Sequence, residues 1–162
     1  MQSIVAAALM SLFAAAASAA GTVNVTFVDP DKFFDAGNSK QDVPTNLKEI
    51  EQHLKALGQR YLPDGQVLNI SVLDVDLAGY MKPLSGSARE VRVSSSADWP
   101  RFNLRYGLES NGQQIKSGEE VVKDMNYGRH GQTQIYSSRD PLRHEKQMLD
   151  QWFNARFAPK QP

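Results

Sequence analysis

The chain contains no cysteine in its 162 residues. That excludes disulfide staples, thiolate metal sites and a lipid-bearing cysteine, so its core alone must hold the fold. Charge excess is missing too, because 18 Lys and Arg stand against 18 Asp and Glu. Nucleic-acid and polybasic membrane binders need a basic stripe, and neither partner is expected. The one long apolar run, near the start, is mostly alanine and falls short of the ~20 apolar residues that span a bilayer.

That run, MQSIVAAALMSLFAAAASAA over residues 1–20, carries no charged side chain and ends in small residues. This is the pattern of an export leader and its cleavage site, although the usual basic opening is missing. Ala17-Ser18-Ala19 places cleavage after Ala19, with Ala20 the nearest alternative. An uncleaved anchor is the competing reading. The expected organisation is a signal peptide over 1–19 and one globular domain over 20–162, placed in a periplasm without stable membrane insertion after cleavage. About 140 residues suffice for one core.

Val23, Val25 and Phe27 alternate with polar residues, the period of a half-buried strand that stops at Asp29-Pro30. A polar loop follows to about Pro44. Asn46 then precedes Leu47, with Glu49 three residues on as in a capping box, and Ile50, Leu54, Leu57 and Tyr61 recur at helical spacing. Leu62-Pro63-Asp64-Gly65 ends this helix.

Residues 66–77, QVLNISVLDVDL, predict a second strand whose alternation changes phase. Leu68, Ile70 and Val72 point one way, and Leu73, Val75 and Leu77 the other, so a bulge or burial of both faces is required. Asp74 and Asp76 inherit the first face. A long connection over 78–98 includes a short strand at Glu90–Val93. Phe102, Leu104, Tyr106 and Leu108 then alternate cleanly before Asn111-Gly112, a type I′ hairpin signal. A two-residue loop there pairs Leu108 with Ile115, Arg105 with Gly118, Leu104 with Glu119 and Phe102 with Val121, which turns Glu119 inward. A bulge near Gly118 would turn Glu120 inward instead, leaving the other glutamate for Arg101 or Arg105. After a Gly-rich loop, Asp140-Pro141 caps a second helix with Leu142, Leu149, Trp152, Phe153 and Phe157 as its stripe. The fold class is α+β: a two-layer sandwich, a four- or five-stranded mostly antiparallel or mixed sheet with two helices on one face.

Asp29, Asp31 and Asp35 crowd the stretch VTFVDPDKFFDAG. A calcium loop needs oxygen donors at positions 1, 3 and 5 and glycine at 6, whereas Phe33 and Phe34 occupy the fifth and sixth positions counted from Asp29. A turn is the simpler reading. Asp74 and Asp76 share a strand face and can raise each other's proton affinity, as general acid-base pairs do, though strand ends are ordinarily polar. His53, His130 and His144 lack zinc spacing, and no serine sits in a nucleophile elbow. No metal, no cofactor and no catalytic residue is expected. Trp99, Arg101, Arg105 and Tyr106 offer an aromatic and basic surface to a carbohydrate, peptide or anion, with core or edge packing as the plainer role. The charges of the second helix, Asp140 to Asp150, read as a solvated band with a Lys146–Asp150 pair.

Jointly, VTFVDPDKFFDAG, DVDLAG, FNLRYGL, DMNY and DPLRHEKQMLDQWF resemble the bacterial domain-of-unknown-function family 3016. The resemblance implies a small exported bacterial protein and brings no reaction or cofactor.

The expected function is that of an exported periplasmic binding or envelope-associated protein without catalysis. Its binding residues are Asp29, Asp74, Asp76, Arg101, Arg105, Asp124 and Tyr127, and its partner is an envelope protein or small ligand. One alternative is a metal-dependent or acid-base hydrolase using Asp74 and Asp76. Another is a homodimeric module joined through an exposed Leu73, Val75 and Leu77 stripe.

Overall fold

The computed structural model describes residues 21–86, 90–129 and 134–158; the expected leader and His130 lie outside them. In chain order the elements are β1 (Thr22–Phe27), α1 (Asp42–Tyr61), β2 (Gln66–Asp76), β3 (Tyr80–Pro83), β4 (Glu90–Val93), β5 (Arg101–Ser110), β6 (Gln113–Lys123) and α2 (Arg143–Phe157). Short 3-10 turns occupy Pro30–Lys32 and Tyr127–Arg129. The main sheet runs β1-β2-β5-β6, and β3 and β4 form a separate ribbon. Only β1 and β2 pair in parallel, because α1 carries the chain back between them. The result is the expected α+β sandwich, with Glu90–Val93 paired to a β3 strand that the sequence had not suggested.

One face of the main sheet is covered. Ile50, Leu54 and Leu57 of α1 and Leu149 and Phe153 of α2 join Leu68, Ile70, Val72, Phe102 and Leu104 in one buried cluster. Each fully buried side chain of this kind contributes about 1.5–3 kcal/mol, which outweighs the weak helix bias of the sequence. The other face is polar. Asn24 donates to Asn69 at 2.9 Å, Asn69 to Glu109 at 3.1 Å, and Arg105 to Glu119 at 2.8 Å.

Helix α1 begins a turn before Asn46. Ser39 accepts the amides of Asp42 and Val43, and Pro44 falls within the first turn, where its missing N–H is harmless. Asn46 is not a cap; its amide donates to Ala36 O at 3.0 Å and ties the loop to the helix. At the other end of the chain, Asp140 accepts the Leu142 amide, so it organises the turn before α2 and the helix starts two residues later than the cap signal implies.

The β2 phase change is a bulge. Val72 pairs with Leu104 and Asp74 with Asn103, leaving Leu73 as the extra residue. Val75 and Leu77 therefore return to the core at 0% and 4% exposure, and no open Leu73-Val75-Leu77 stripe exists for a dimer. The same shift carries Asp74 and Asp76 to the polar face, and not to the face of Leu68, Ile70 and Val72 where the sequence reading put them.

Asn111 and Gly112 form the hairpin turn with φ of 50° and 75°, as type I′ geometry requires. The register beyond it differs by one residue from the expectation, because β6 is bulged at Ile115: Glu109 pairs with Gln114 and Leu108 with Lys116. Leu104 thus faces Glu120, and Phe102 faces Val122. Glu120 is the inward glutamate, accepting from Tyr106 Oη at 2.8 Å and Arg156 Nε at 3.0 Å, while Glu119 pairs outside with Arg105. Burial opposes the charge of Glu120, but the donors from Tyr106 and Arg156 outweigh it and hold this carboxyl below its usual range.

Gly58 marks the closest approach of α1 to β1. A Cβ there would lie 2.3 Å from Val23 Cγ2. Alanine normally improves a helix interior by about 1 kcal/mol over glycine. Here Gly58→Ala should instead lower stability, because overpacking costs about 1–3 kcal/mol. In a Val23→Ala background the same change should become neutral or stabilising. Urea unfolding of the four chains checks the coupling, and additive effects would refute it.

Candidate functional site

Where β2 ends, the loop after β1, the β3–β4 ribbon and the start of α2 converge. The opening stretch separates its acids there. Asp29 adopts a left-handed backbone, φ 51°, and pairs with Lys32 at 2.9 Å on the surface. Asp35 instead turns inward. Its backbone bridges β2 through Asp35 N to Val75 O and Leu77 N to Asp35 O, bringing it beside Asp76.

Two arginines intervene among these acids. Arg92 Nη2 donates to Asp35 at 2.9 Å, and Arg101 Nη2 to Asp76 at 3.0 Å, while Asp74 accepts the Phe34 amide at 2.8 Å. Burial raises the Asp76 carboxyl above its usual value; Arg101 opposes this, and Asp35 and Asp74 add to it. Among the described residues, no group of three or more His, Asp or Glu side chains is placed to hold a metal.

A cleft of about 410 Å³ opens over Asp35, Asp76 and Arg101. Its walls include Phe34, Tyr80 and Trp99. Phe34 is 75% exposed and Tyr80 44%, an unusual outlay of aromatic surface at one spot. Gly79 turns the chain into this wall with φ 79°, and a Cβ there would meet Val93 O at 2.3 Å, so only glycine fits.

The other nominated residues lie elsewhere. Arg105 lines a shallow groove on the polar sheet face with Asn69 and Ser71. Asp124 is buried and accepts the Asn126 amide, and Tyr127 is 3% exposed, its hydroxyl accepting from Ser95 N and donating to Ser95 O. Both stitch loops together. The structure therefore unites Asp76 and Arg101, sets Asp74 behind Phe34, and leaves Asp29, Arg105, Asp124 and Tyr127 apart.

A second cleft, also about 410 Å³, lies across the ribbon between the starts of α1 and α2. The charged band expected to be solvated on α2 borders it. Glu145 is 1% exposed, with Oε1 accepting the Ala78 amide at 2.7 Å and Oε2 without a hydrogen-bond partner. Burial pushes its carboxyl up against the opposing pull of the Ala78 amide, Arg92 and Arg143. Lys146 does not pair with Asp150; it reaches Asp140 at 2.8 Å and Glu49 at 3.1 Å. Burial lowers the Lys146 ammonium, but these two carboxylates outweigh it and hold the group above its usual value. Asp150 instead accepts from His53 Nε2 at 2.9 Å and from the Tyr136 hydroxyl, whose proton affinity rises through burial and the Asp150 bond. Sequence reasoning passed over Glu145 and Arg92. The signal for Glu145 was present, since Leu142, Glu145 and Leu149 share one helical stripe.

A buried carboxyl with a raised folded-state pKa binds its proton more tightly folded than unfolded. Its burden on stability is absent below the ordinary value of 4.5 and grows as pH rises toward the folded value. Glu145→Gln should therefore leave stability unchanged in acid and raise it at alkaline pH. Thermal melts across that range check the sign, and equal gains at every pH would refute it.

Comparison with known proteins adds the following. A crystal structure of a minor lipoprotein from Acinetobacter baumannii is 17% identical, covering 89% of this chain and 98% of that one at a TM-score of 0.30, too low to carry an argument. No curated protein matches the chain. No described helix is long and apolar enough to cross a membrane. The model of the family described as protein of unknown function (DUF3016) matches residues 21–155, and so takes in every strand and both helices up to the last residues of α2. The chain belongs to the DUF3016 family.

Proposed function

We propose that the chain is an exported, non-catalytic binding protein of the bacterial envelope that holds a saccharide-bearing component in the cleft of Phe34, Tyr80 and Trp99. The observation that carries this reading is the exposure of Phe34 and Tyr80 beside a carboxylate and a guanidinium. Aromatic faces held open to water are costly unless a partner covers them, and sugar rings present apolar faces of matching shape. Asp76 and Arg101 then supply an acceptor and donors for hydroxyls at the rim. The leader expected over 1–19 supports export, and the near-neutral charge supports a partner that is not itself strongly ionic.

In this reading Asp74 is a positioning group, because its bond to the Phe34 backbone amide holds the chain that carries that ring. Asp29, Arg105 and Asp124 lie apart from this cleft and take no part in the reading, while Tyr127 holds the Ser95 loop. Asp76 is bound to Arg101, so it serves as a fixed acceptor and not as a mobile acid.

Retention of the chain on immobilised cell-wall saccharide provides the test, with Trp99 fluorescence as the optical signal. Phe34→Ala and Tyr80→Ala should each weaken retention about tenfold, on the order of 1.4 kcal/mol, with unchanged melting temperature because both rings are exposed. Retention equal to wild type in both variants would exclude the aromatic cleft as the contact, and release of reducing ends would show that the protein cleaves what it binds.

A further inference from the structure

We propose that the cleft between the starts of α1 and α2 is a second, separate site, for a small organic carboxylate, with Glu145 Oε2 and Arg143 as its contacts. This site does not depend on the saccharide reading.

The argument starts from the orphaned oxygen. Glu145 lies on the floor of the cleft with 1% of its surface exposed, and Ala78 engages one oxygen only. Among the described residues, Oε2 itself has no hydrogen-bond partner, and beyond Ala78 the only backbone donor acting on the carboxyl is Glu145's own N–H. A bare carboxylate oxygen at that depth would carry a large desolvation cost. As a carboxylic acid, the same oxygen becomes an O–H donor that needs an acceptor, which a ligand in the cleft would supply. The raised proton affinity of Glu145 agrees with that form.

The surroundings choose the ligand's charge. Titratable and charged groups face the cleft from each element around it: Asp42 and Glu49 on α1, Arg92 on β4, Arg143 and His144 on α2. Glu49 is already committed to Lys146, and Arg92 to Asp35. The first turns of both helices open here, each adding partial positive charge that favours an anion. Arg143 stands in the first turn of the 15-residue α2 with Nη1 donating to Ser138 O at 3.2 Å, which leaves its other N–H groups for a planar carboxylate. Leu77, Pro141 and Leu142 share the remainder with Asn38, Thr45, Asn46 and Ser94, a mixed wall that suits a short organic acid with both apolar and polar atoms.

The test is titration of the chain with succinate and with acetate, followed by calorimetry and by the amide shifts of His144 and Glu145. Measurements follow binding as pH is raised from the ordinary glutamate range into alkali, with inorganic phosphate and putrescine as comparison probes. Binding of a carboxylate should move those two amides and weaken about tenfold or more across the step in which Glu145 ionises. Glu145→Gln, which keeps a neutral donor, should retain binding and lose the pH step, while Glu145→Leu should lose binding. Arg143→Ala should weaken it about tenfold. His144→Asn should leave the pH step in place. Four results would overturn the site: no shift with either carboxylate, tighter binding at high pH, loss of binding in Glu145→Gln, or preference for phosphate or putrescine. A pH step that survives Glu145→Gln would do so as well.

Discussion

The extra residue at Leu73 sets the chemistry of one end of this molecule. A strand's side chains alternate, so a single inserted position exchanges the faces of everything after it. Before the bulge, Leu68, Ile70 and Val72 face the helices; after it, Val75 and Leu77 do so again, and two aspartates face water. Had the strand run on in phase, Asp74 and Asp76 would stand under the helices as uncompensated buried carboxyls. The bulge therefore lets the core continue to the end of β2 and delivers acids to the surface, where Arg101 and the Phe34 amide meet them.

Between the helices the same economy of charge appears in another form. Lys146 and Asp150, both largely buried, each serve two partners drawn from α1 and from the approach to α2. Pairs at this depth gain little net energy, since desolvation offsets attraction. Their effect is on geometry: a shift of α2 along α1 would break several of these contacts together, so the apolar stripes meet in one register.

Much of the architecture was legible in the residues. Alternation in β1 and β5, the Asn111-Gly112 turn and the 3.6-residue stripes predict the sheet and helices correctly, because those signals are local and strong. The hairpin register was not legible, since it depends on whether Ile115 is accommodated as a bulge, and both registers put one glutamate inward. Helix starts were misplaced because Asn46 and Asp140 look like caps yet spend their side chains on neighbouring loops. At the aromatic cleft, Asp76 and Arg101 were both named from sequence, though not as the ion pair they form. Phe34, Tyr80 and Glu145 were not so named, because exposure and depth arise from how distant segments meet. A glutamate reads as surface until its place on an apolar stripe is taken seriously.

Arg92 gathers these threads. Its guanidinium donates to Asp35 and Gly79 O on the aromatic side of the ribbon and to Asn38 and Ala78 O on the side of Glu145. The two recesses thus have a party wall with one cationic stud through it. Losing that one side chain would therefore strip contacts from both recesses at once.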